Sequence, residues 1–389
     1  MKKKNVKSID IPIYRNAGFI LSDAQTTKKA FKEEEDHARS PENYIYSRYR
    51  NPTVVAAEEK IMQLENSKWA LLTQSGMSAI DTALSIFQKG NDTGIWLFFD
   101  DIYGGTNSYI DSILQSRRGI KIKRFYSSND KFDLDKFEKL LEEANPKLVY
   151  FEGISNPMLI VADGEAIIRL AKNKEAVVIV DNTFGTSQLW KPLEQEADLV
   201  VHSVTKYLAG HGNITAGVLC GNNTQFEKDA IEYRKIIGHM LNPDDAYRLG
   251  TQLKTFKLRF LRQCENAYKL AKTLVKHKNV DIVLYPGLES HPTYSESVKL
   301  FKGKGFGGMI TFDLKGDNEK SKEQARDKFI SAVAEYIPLV PSLGNSESIL
   351  LPVEAVWGKK YPLPGMIRLS VGIEPYEKLE EAILSALAG

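Results

Sequence analysis

A doubly wound α/β domain followed by a smaller α+β domain is the architecture that this sequence predicts. Between Trp69 and Ser203, short β-branched apolar runs alternate with helical ones, the pattern of βαβ units and a mostly parallel sheet. After Asn242 a long amphipathic pattern takes over and leads into a second set of short strands mixed with helices. The chain has 389 residues, more than one hydrophobic core usually serves and suited to two or three domains.

The elements follow in chain order. Lys2, Lys3, Lys4 and Lys7 suggest a solvated terminus, because no continuous apolar segment follows that could form a signal-peptide core. Periodic signals are sparse over the first ~45 residues, and Glu33-Glu34-Glu35-Asp36 suggests a solvated helical face. Strands are expected at Trp69–Thr73, Ile95–Phe99, Ile120–Phe125, Leu148–Glu152, Val177–Asp181 and Leu199–Ser203. Helices such as Asp133–Glu143 and Glu165–Lys172 lie between them, with apolar residues three and four apart. In such sheets ligands sit beyond the carboxyl ends of the strands, so the residues that close each strand are where chemistry is expected.

Asn242-Pro243-Asp244-Asp245 has the composition of a helix start: Asn at the cap, Pro in the first turn and acids at the positive end of the dipole. From there Leu249, Leu253, Phe256, Phe260, Cys264, Ala267, Ala271 and Leu274 step by three or four, which predicts one long amphipathic helix. Strands near Ile282–Tyr285, Gly308–Asp313 and Met366–Val371, with helices Lys320–Glu335 and Tyr376–Leu387, complete the α+β domain. The expected division is an N-terminal arm over residues 1–45, a large domain over 46–245 and a C-terminal domain over 246–389.

Composition excludes several classes of function. With 42% hydrophobic and 26% charged residues the chain is an ordinary globular one. Lys+Arg 52 against Asp+Glu 50 leaves a formal charge of +2 and no basic field to draw it onto nucleic acid. No window approaches the ~20 unbroken apolar residues of a membrane-spanning helix. The two cysteines, Cys220 and Cys264, cannot form a disulfide framework and are expected as small apolar packers in a reduced, cytoplasmic protein. CxxC metal spacing is absent.

Three segments carry chemistry. His202-Ser203-Val204-Thr205-Lys206-Tyr207 closes an expected strand and runs into Gly210-His211-Gly212, so Lys206 stands at the exposed end of a buried strand among hydroxyls and glycines, as a Schiff-base lysine would. Asp181 ends another apolar strand, where burial without a cationic partner is unfavourable and a pyridinium nitrogen would serve as that partner. Ser75-Gly76-Met77-Ser78 joins a strand to a helical run beginning near Ala79, and a glycine there lets helix N-terminal amides approach a phosphate. Each also has a plainer reading when taken singly: a surface lysine, a turn-capping aspartate, an ordinary strand-to-helix turn. His202 and His211 read as structural.

These segments in this order, with Tyr103-Gly104-Gly105-Thr106 between them and Tyr46-Ser47-Arg48-Tyr49-Arg50-Asn51-Pro52-Thr53 before them, resemble the Cys/Met-metabolism family of pyridoxal-phosphate enzymes. The resemblance runs from about Pro12 to the C-terminus and includes Phe151–Pro157, Tyr285–Pro292, Ser342-Leu343-Gly344 and Ile367-Arg368-Leu369-Ser370-Val371-Gly372. It implies the fold-type-I, aspartate-aminotransferase-like architecture and a pyridoxal 5'-phosphate cofactor held as an internal aldimine on Lys206, with Asp181 on the ring nitrogen. It assigns the phosphate to the backbone of Gly76 and Met77, to the hydroxyls of Ser203 and Thr205, and to Tyr46 and Arg48 of a neighbouring subunit. That makes the active site complete only in a homodimer, itself half of the tetramer usual for the family. Tyr103 would stack on the ring and then serve as acid or base at the leaving group. Asn156 would sit beside the phenolic oxygen, and Arg368, helped by the backbone at Ser342, would clamp the carboxylate of an amino-acid substrate.

The implied activity is γ-replacement or γ-elimination on γ-substituted amino acids, of the cystathionine γ-synthase and γ-lyase type. The alternatives are a methionine γ-lyase, an O-acetylhomoserine sulfhydrylase or an inactive binding or assembly module. Gly105 stands where methionine γ-lyases often have cysteine, Ser108 where the cystathionine enzymes commonly have arginine, and Pro341 where many γ-lyases have glutamate. Leu351-Pro352-Val353-Glu354-Ala355-Val356-Trp357 replaces the usual histidine- and serine-containing segment. An apolar wall in place of an arginine weakens the case for a substrate with a second charged end.

Overall fold

Short apolar runs set the large sheet. In the computed structural model, which describes residues 8–37, 40–90 and 93–388, its strands are β1 (Trp69–Thr73), β2 (Ile95–Phe99), β3 (Lys121–Phe125), β4 (Leu148–Glu152), β5 (Val177–Asp181), β6 (Leu199–Ser203) and β7 (Gly217–Gly221). They lie in the order β1-β7-β6-β5-β4-β2-β3. From β3 to β6 the pairing is parallel, whereas β7 runs antiparallel to both β6 and β1. Strands β1 and β4 are buried along their whole length, as expected for strands covered on both faces. Strand β3 lies at an edge and exposes Lys121 and Lys123, charges that discourage further strand pairing.

Strand β7 has no counterpart in the sequence reading because glycine bounds it on both sides. Those glycines are required sterically. A Cβ at Gly217 would lie 2.2 Å from the Ser75 carbonyl oxygen, and one at Gly221 2.5 Å from the Trp69 ring. The register of β4 with β5 sets Glu152 against Asp181, so two carboxylates end neighbouring strands side by side.

The smaller sheet holds β8 (Val280–Leu284), β9 (Met309–Leu314), β10 (Ile349–Pro352) and β11 (Met366–Ser370) in the order β10-β11-β9-β8, antiparallel throughout. Helices Glu319–Val333 and Tyr376–Ala388 close its core, which contains Phe312, Phe329, Ile367 and Ile383. The helix Phe256–Val275 joins the two cores: Phe256, Phe260 and Cys264 pack in the large one, Ala267, Leu270 and Leu274 in the small one. Both cysteines are buried and free.

Two expectations need correction. The single long helix is interrupted: Pro243–Gln252 and Phe256–Val275 flank a 3-10 turn at Leu253–Thr255. There the Gln252 carbonyl accepts from the Thr255 hydroxyl (3.2 Å) and from Arg259 Nη2 (3.1 Å), so side chains stand in for the regular ladder. The acidic run is not all solvated either. It closes the helix Ala24–Glu35, and Glu34 is buried 3.6 Å from Lys235. The lysines at positions 2, 3, 4 and 7 fall outside the described residues. Among the described residues no helix is long and apolar enough to cross a membrane.

The two sheets meet at the loop after β6. Arg259 donates to the carbonyls of Tyr207 and Leu208, each at 3.1 Å. From the other side Gly344, at φ +80°, presses its backbone onto the same loop, where a Cβ would lie 2.6 Å from the Tyr207 nitrogen and 2.9 Å from the Lys206 carbonyl carbon. Gly303 has a similar φ of +78° with nothing within 4 Å. Gly344→Ala should therefore destabilise the protein by about 2–4 kcal/mol and Gly303→Ala by about 1 kcal/mol, the backbone strain alone. Thermal melting of the two variants side by side checks this; equal shifts would show that the contact at Lys206 adds nothing.

Candidate active site

At the carboxyl ends of β1, β4, β5 and β6 the large sheet faces the turn at residues 341–344 and the β10–β11 connection across a cavity of about 570 Å³. Asp181 ends β5, Glu152 ends β4, Ser203 ends β6, and the Ser75-Gly76 turn follows β1. Lys206 enters from the loop after β6 and Arg368 from β11.

The two carboxylates are buried, at 8% and 7% exposure for Asp181 and Glu152. Asp181 accepts the Thr183 amide (2.9 Å), the Thr183 hydroxyl (2.6 Å) and, more weakly, the Tyr150 hydroxyl (3.3 Å). Glu152 accepts the Tyr103 amide at 2.6 Å. Burial pushes both carboxyls above their ordinary range, and for Glu152 the charge of Asp181 adds to the push. Since Asp181 has the larger set of donors, it keeps the charge while Glu152 holds the proton. Beneath them, His202 Nε2 lies 2.8 Å from Glu65 Oε1, both residues being almost wholly buried. Burial draws the imidazole's proton affinity down, but Glu65 and Asp181 outweigh it and raise it.

The cations are equally unmatched. Among the described residues Lys206 Nζ has one hydrogen bond, to Ser342 Oγ at 3.0 Å. Burial, with Arg368 close by, lowers its proton affinity to about 8. Arg368 donates from Nη1 to Asn156 Oδ1 (3.0 Å) and from Nη2 to the Ser342 carbonyl (2.8 Å), and its guanidinium lies 5.3 Å from the Trp357 ring centre. Its Nε has no hydrogen-bond partner among the described residues, and burial lowers its proton affinity to about 10.

A third corner suits an anion. Ser75 caps the helix Gly76–Ser85 by accepting the Ser78 amide at 3.0 Å. The amides of Gly76 and Met77, which have no intrahelical acceptor by position, border the cavity beside Ser203 and Thr205. A Cβ on Gly76 would stand 2.9 Å from the Ser203 Cβ, so glycine is what lets this helix end approach β6. The Thr205 hydroxyl bonds the backbone of Ala216, donating to its carbonyl at 3.1 Å and accepting its amide at 3.0 Å. Across the cavity Tyr103 is 48% exposed, and its ring lies over Gly105, where a Cβ would come within 2.4 Å of it.

Tyr46 and Arg48 stand apart from this cavity. Both are exposed; Arg48 Nη1 bonds the Lys235 carbonyl at 2.5 Å, and its guanidinium lies 5.1 and 5.7 Å from the rings of Tyr49 and Tyr46. The other expected site residues, Gly76, Met77, Tyr103, Asn156, Asp181, Ser203, Thr205, Lys206, Ser342 and Arg368, come together around it.

A family model described as Cys/Met metabolism PLP-dependent enzyme matches residues 1–388. The chain belongs to that family. Within it, this Cys/Met-metabolism enzyme is 35% identical over 383 residues to the L-methionine gamma-lyase of Fusobacterium nucleatum subsp. polymorphum, covering 96% of this chain and 91% of that protein. It is 34% identical over 393 residues to the cystathionine beta-lyase of Lactococcus lactis subsp. cremoris (strain MG1363), covering 99% and 95%. Among solved structures, cystathionine gamma synthase from Xanthomonas oryzae pv. oryzae in complex with aminoacrylate and cysteine matches with a TM-score of 0.85 at 28% identity, covering 98% of this chain and 93% of that one. The fold is thus type I, and the enzyme depends on pyridoxal phosphate.

The residues present fit that cofactor. An anion-ready helix end, a buried carboxylate with no cation hydrogen-bonded to it among the described residues and a buried amine of lowered basicity border one cavity, and they complement a phosphate, a protonated ring nitrogen and an aldehyde. Two residues of this Cys/Met-metabolism enzyme's site, Glu152 and Thr183, were not singled out from sequence, and a third, Trp357, was named there only as the end of the atypical segment from Leu351. Glu152 carries the same signal as Asp181, an acid closing an apolar strand. Thr183 ties Asp181 to β6, since its hydroxyl also accepts the Ser203 amide at 2.9 Å. Trp357 lies in a segment with no periodic signal.

Lys206 also makes a prediction about stability. Its folded value of about 8 lies below the ordinary 10.5, so the folded state resists the charged form by on the order of 3 kcal/mol. That penalty is full below pH 8 and fades as pH rises toward 10.5, where the unfolded chain also loses the proton. In the cofactor-free protein Lys206→Met should therefore melt higher at pH 7, by up to about 3 kcal/mol, with the gain shrinking above pH 8. Melting curves across that range check it; a pH-independent gain would argue against a buried charged amine.

Proposed function

We propose that this enzyme acts in trans-sulfuration on γ-substituted amino acids, by γ-elimination or γ-replacement. The observation that carries this reading is the pair formed by Lys206 and Arg368, a proton-accepting amine and a carboxylate-binding guanidinium tied to the two sides of Ser342. Gly76, Met77, Ser203 and Thr205 would hold the cofactor phosphate, Asp181 would keep a proton on the ring nitrogen, and Asn156 would stand beside the phenolic oxygen. The cofactor, when bound, supplies an electron sink for charge developing at the substrate α-carbon.

The chain's own residues do the rest. Arg368 can grip the substrate carboxylate with its fork, which fixes the α-carbon relative to Lys206. A lysine whose proton affinity lies near 8 has a neutral fraction large enough to take the α-proton and then deliver or remove a proton at the β-carbon. Tyr103, held through its amide on Glu152 and bordering the cavity, would protonate a departing sulfur or oxygen through its hydroxyl. Glu152, neutral, fixes that backbone without adding a second charge beside Asp181.

Because Tyr46 and Arg48 lie outside their own chain's cavity, we assign them to the phosphate of a neighbouring copy, in a homodimer that pairs into a tetramer. Two buried, unpaired cysteines suit a reducing compartment, the cytoplasm.

The deciding assay supplies O-acetyl- or O-succinylhomoserine with and without cysteine, then cystathionine and methionine alone. Cystathionine made from the ester and cysteine marks γ-replacement. A 2-oxobutyrate product with ammonia marks γ-elimination, whereas pyruvate would place cleavage at the β-carbon and overturn the γ assignment. Lys206→Ala should lower turnover by about 10³-fold or more, and Arg368→Ala should raise KM about 10²-fold with a smaller loss of kcat. Borohydride reduction of the loaded protein followed by peptide mapping should find the cofactor on Lys206. Retained turnover in Lys206→Ala would refute its role.

A further inference from the structure

Beside the 570 Å³ cavity lies a second of about 600 Å³. Gly104, Asn156 and Trp357 border both. The two chambers differ in chemistry. On the active-site side Trp357 is joined by Pro341, Leu343, Leu351 and Val356, and Lys206 and Arg368, both already engaged, are the cations bordering it. On the far side stand two ion pairs, Lys360 with Asp100 at 2.8 Å and Arg124 with Asp111 at 2.7 Å.

The indole of Trp357 stands between them. Its ring centre is 5.3 Å from the Arg368 guanidinium, and its Nε1 is 4.0 Å from where a Cβ on Gly104 would lie. It therefore reaches from the carboxylate-binding wall to the wall that carries Tyr103. We propose that Trp357 is a specificity-determining partition. It closes the distal end of the substrate cavity against the polar chamber, so the enzyme selects amino acids whose side chain ends in a compact neutral group over those ending in a second ammonium and carboxylate. The reading rests on the proposed γ-substituted amino-acid substrate and narrows the reactions proposed above: it favours γ-elimination from side chains with a neutral end over reactions that make or cleave cystathionine. A doubly charged end would be stripped of water against apolar groups, and among the described residues the charges bordering the cavity are those proposed to serve the cofactor and the α-carboxylate, so the transfer is strongly unfavourable. With the indole removed, the same end could extend into the chamber of ion pairs.

The test uses two unreactive amino acids of matched reacting end: L-norleucine, which ends in a methyl group, and LL-2,6-diaminopimelate, which ends in an ammonium and a carboxylate. Their dissociation constants are measured by titration calorimetry on cofactor-loaded wild-type, Trp357→Phe and Trp357→Ala proteins. Wild type should favour norleucine by about tenfold or more, Trp357→Phe should keep that preference, and Trp357→Ala should reduce it about tenfold or reverse it. Both ligands place one α-carboxylate on Arg368, so the lost cation–π contact weakens both alike and cancels in the ratio. Equal binding of the two by wild type, or an unchanged ratio in Trp357→Ala, would overturn the role of Trp357 while leaving the amino-acid reading intact. Binding of neither by wild type would overturn the amino-acid reading itself. Circular dichroism and cofactor absorbance keep misfolding apart from these outcomes.

Discussion

Two cations and two carboxyl groups share one cavity, and among the described residues none of them meets a group of opposite charge within hydrogen-bond reach. Lys206 rests on a serine, Arg368 on an amide oxygen and a carbonyl, Asp181 on a threonine and Glu152 on a backbone amide. Left to relax, such groups would reach solvent or each other. The rest of the structure is arranged to prevent that. Asp181 and Glu152 end paired strands and cannot rotate away. Lys206 follows a loop held between Arg259 and Gly344, and Arg368 projects from the middle of β11.

A site of unmet charges binds by being relieved of them. Desolvation has already been met by folding, so a ligand that supplies the missing counter-charges gains more than it would from the same contacts in water. A phosphate, a ring nitrogen and a substrate carboxylate differ in charge and shape, and each has its own corner: the capped helix end, Asp181 and Arg368. Separating the corners also prevents the wrong pairing, since Lys206 and Arg368 repel and the charge of Asp181 raises the proton affinity of Glu152. Lowered basicity at Lys206 and raised basicity at Glu152 are two consequences of one buried arrangement.

Much of this was legible in sequence because buried strands leave a strong mark. Runs such as Val177–Asp181 have no solvent face, and a polar residue ending such a run stands out. Asp181, Ser203 and Lys206 were readable on that ground. Strand β7, with glycine at each end, carries little β-propensity, and its reason lies in tertiary contacts with Ser75 and Trp69 that no local pattern records. The break at Leu253–Thr255 was hidden likewise, since Arg259 intercepts a carbonyl without disturbing the spacing of the apolar residues. Glu152 showed the same signal as Asp181, but its meaning depends on the register that places the two side by side. Arg48 and Tyr46 show the opposite case, where the motif points to a phosphate that their own chain does not bring near them.

The division of labour between the two walls follows from what each is made of. Groups suited to the cofactor stand on strand ends and a helix N-terminus of the large sheet, where a shift of one residue would turn side chains to the opposite face. Groups facing the substrate's far end come from the turn before Ser342 and the connection from β10 to β11, which crosses no sheet and pairs with no strand. A connection of that kind can carry Val356 and Trp357, beside Leu351 within β10, while β10 and β11 keep their pairing. One fold can thus keep a single cofactor chemistry and change what it accepts. In this chain the constraint that ties the two walls together is Ser342, whose hydroxyl receives Lys206 and whose carbonyl receives Arg368. Any change in the substrate wall that moved this residue would move the amine and the guanidinium together, so their mutual geometry would outlast changes in selectivity.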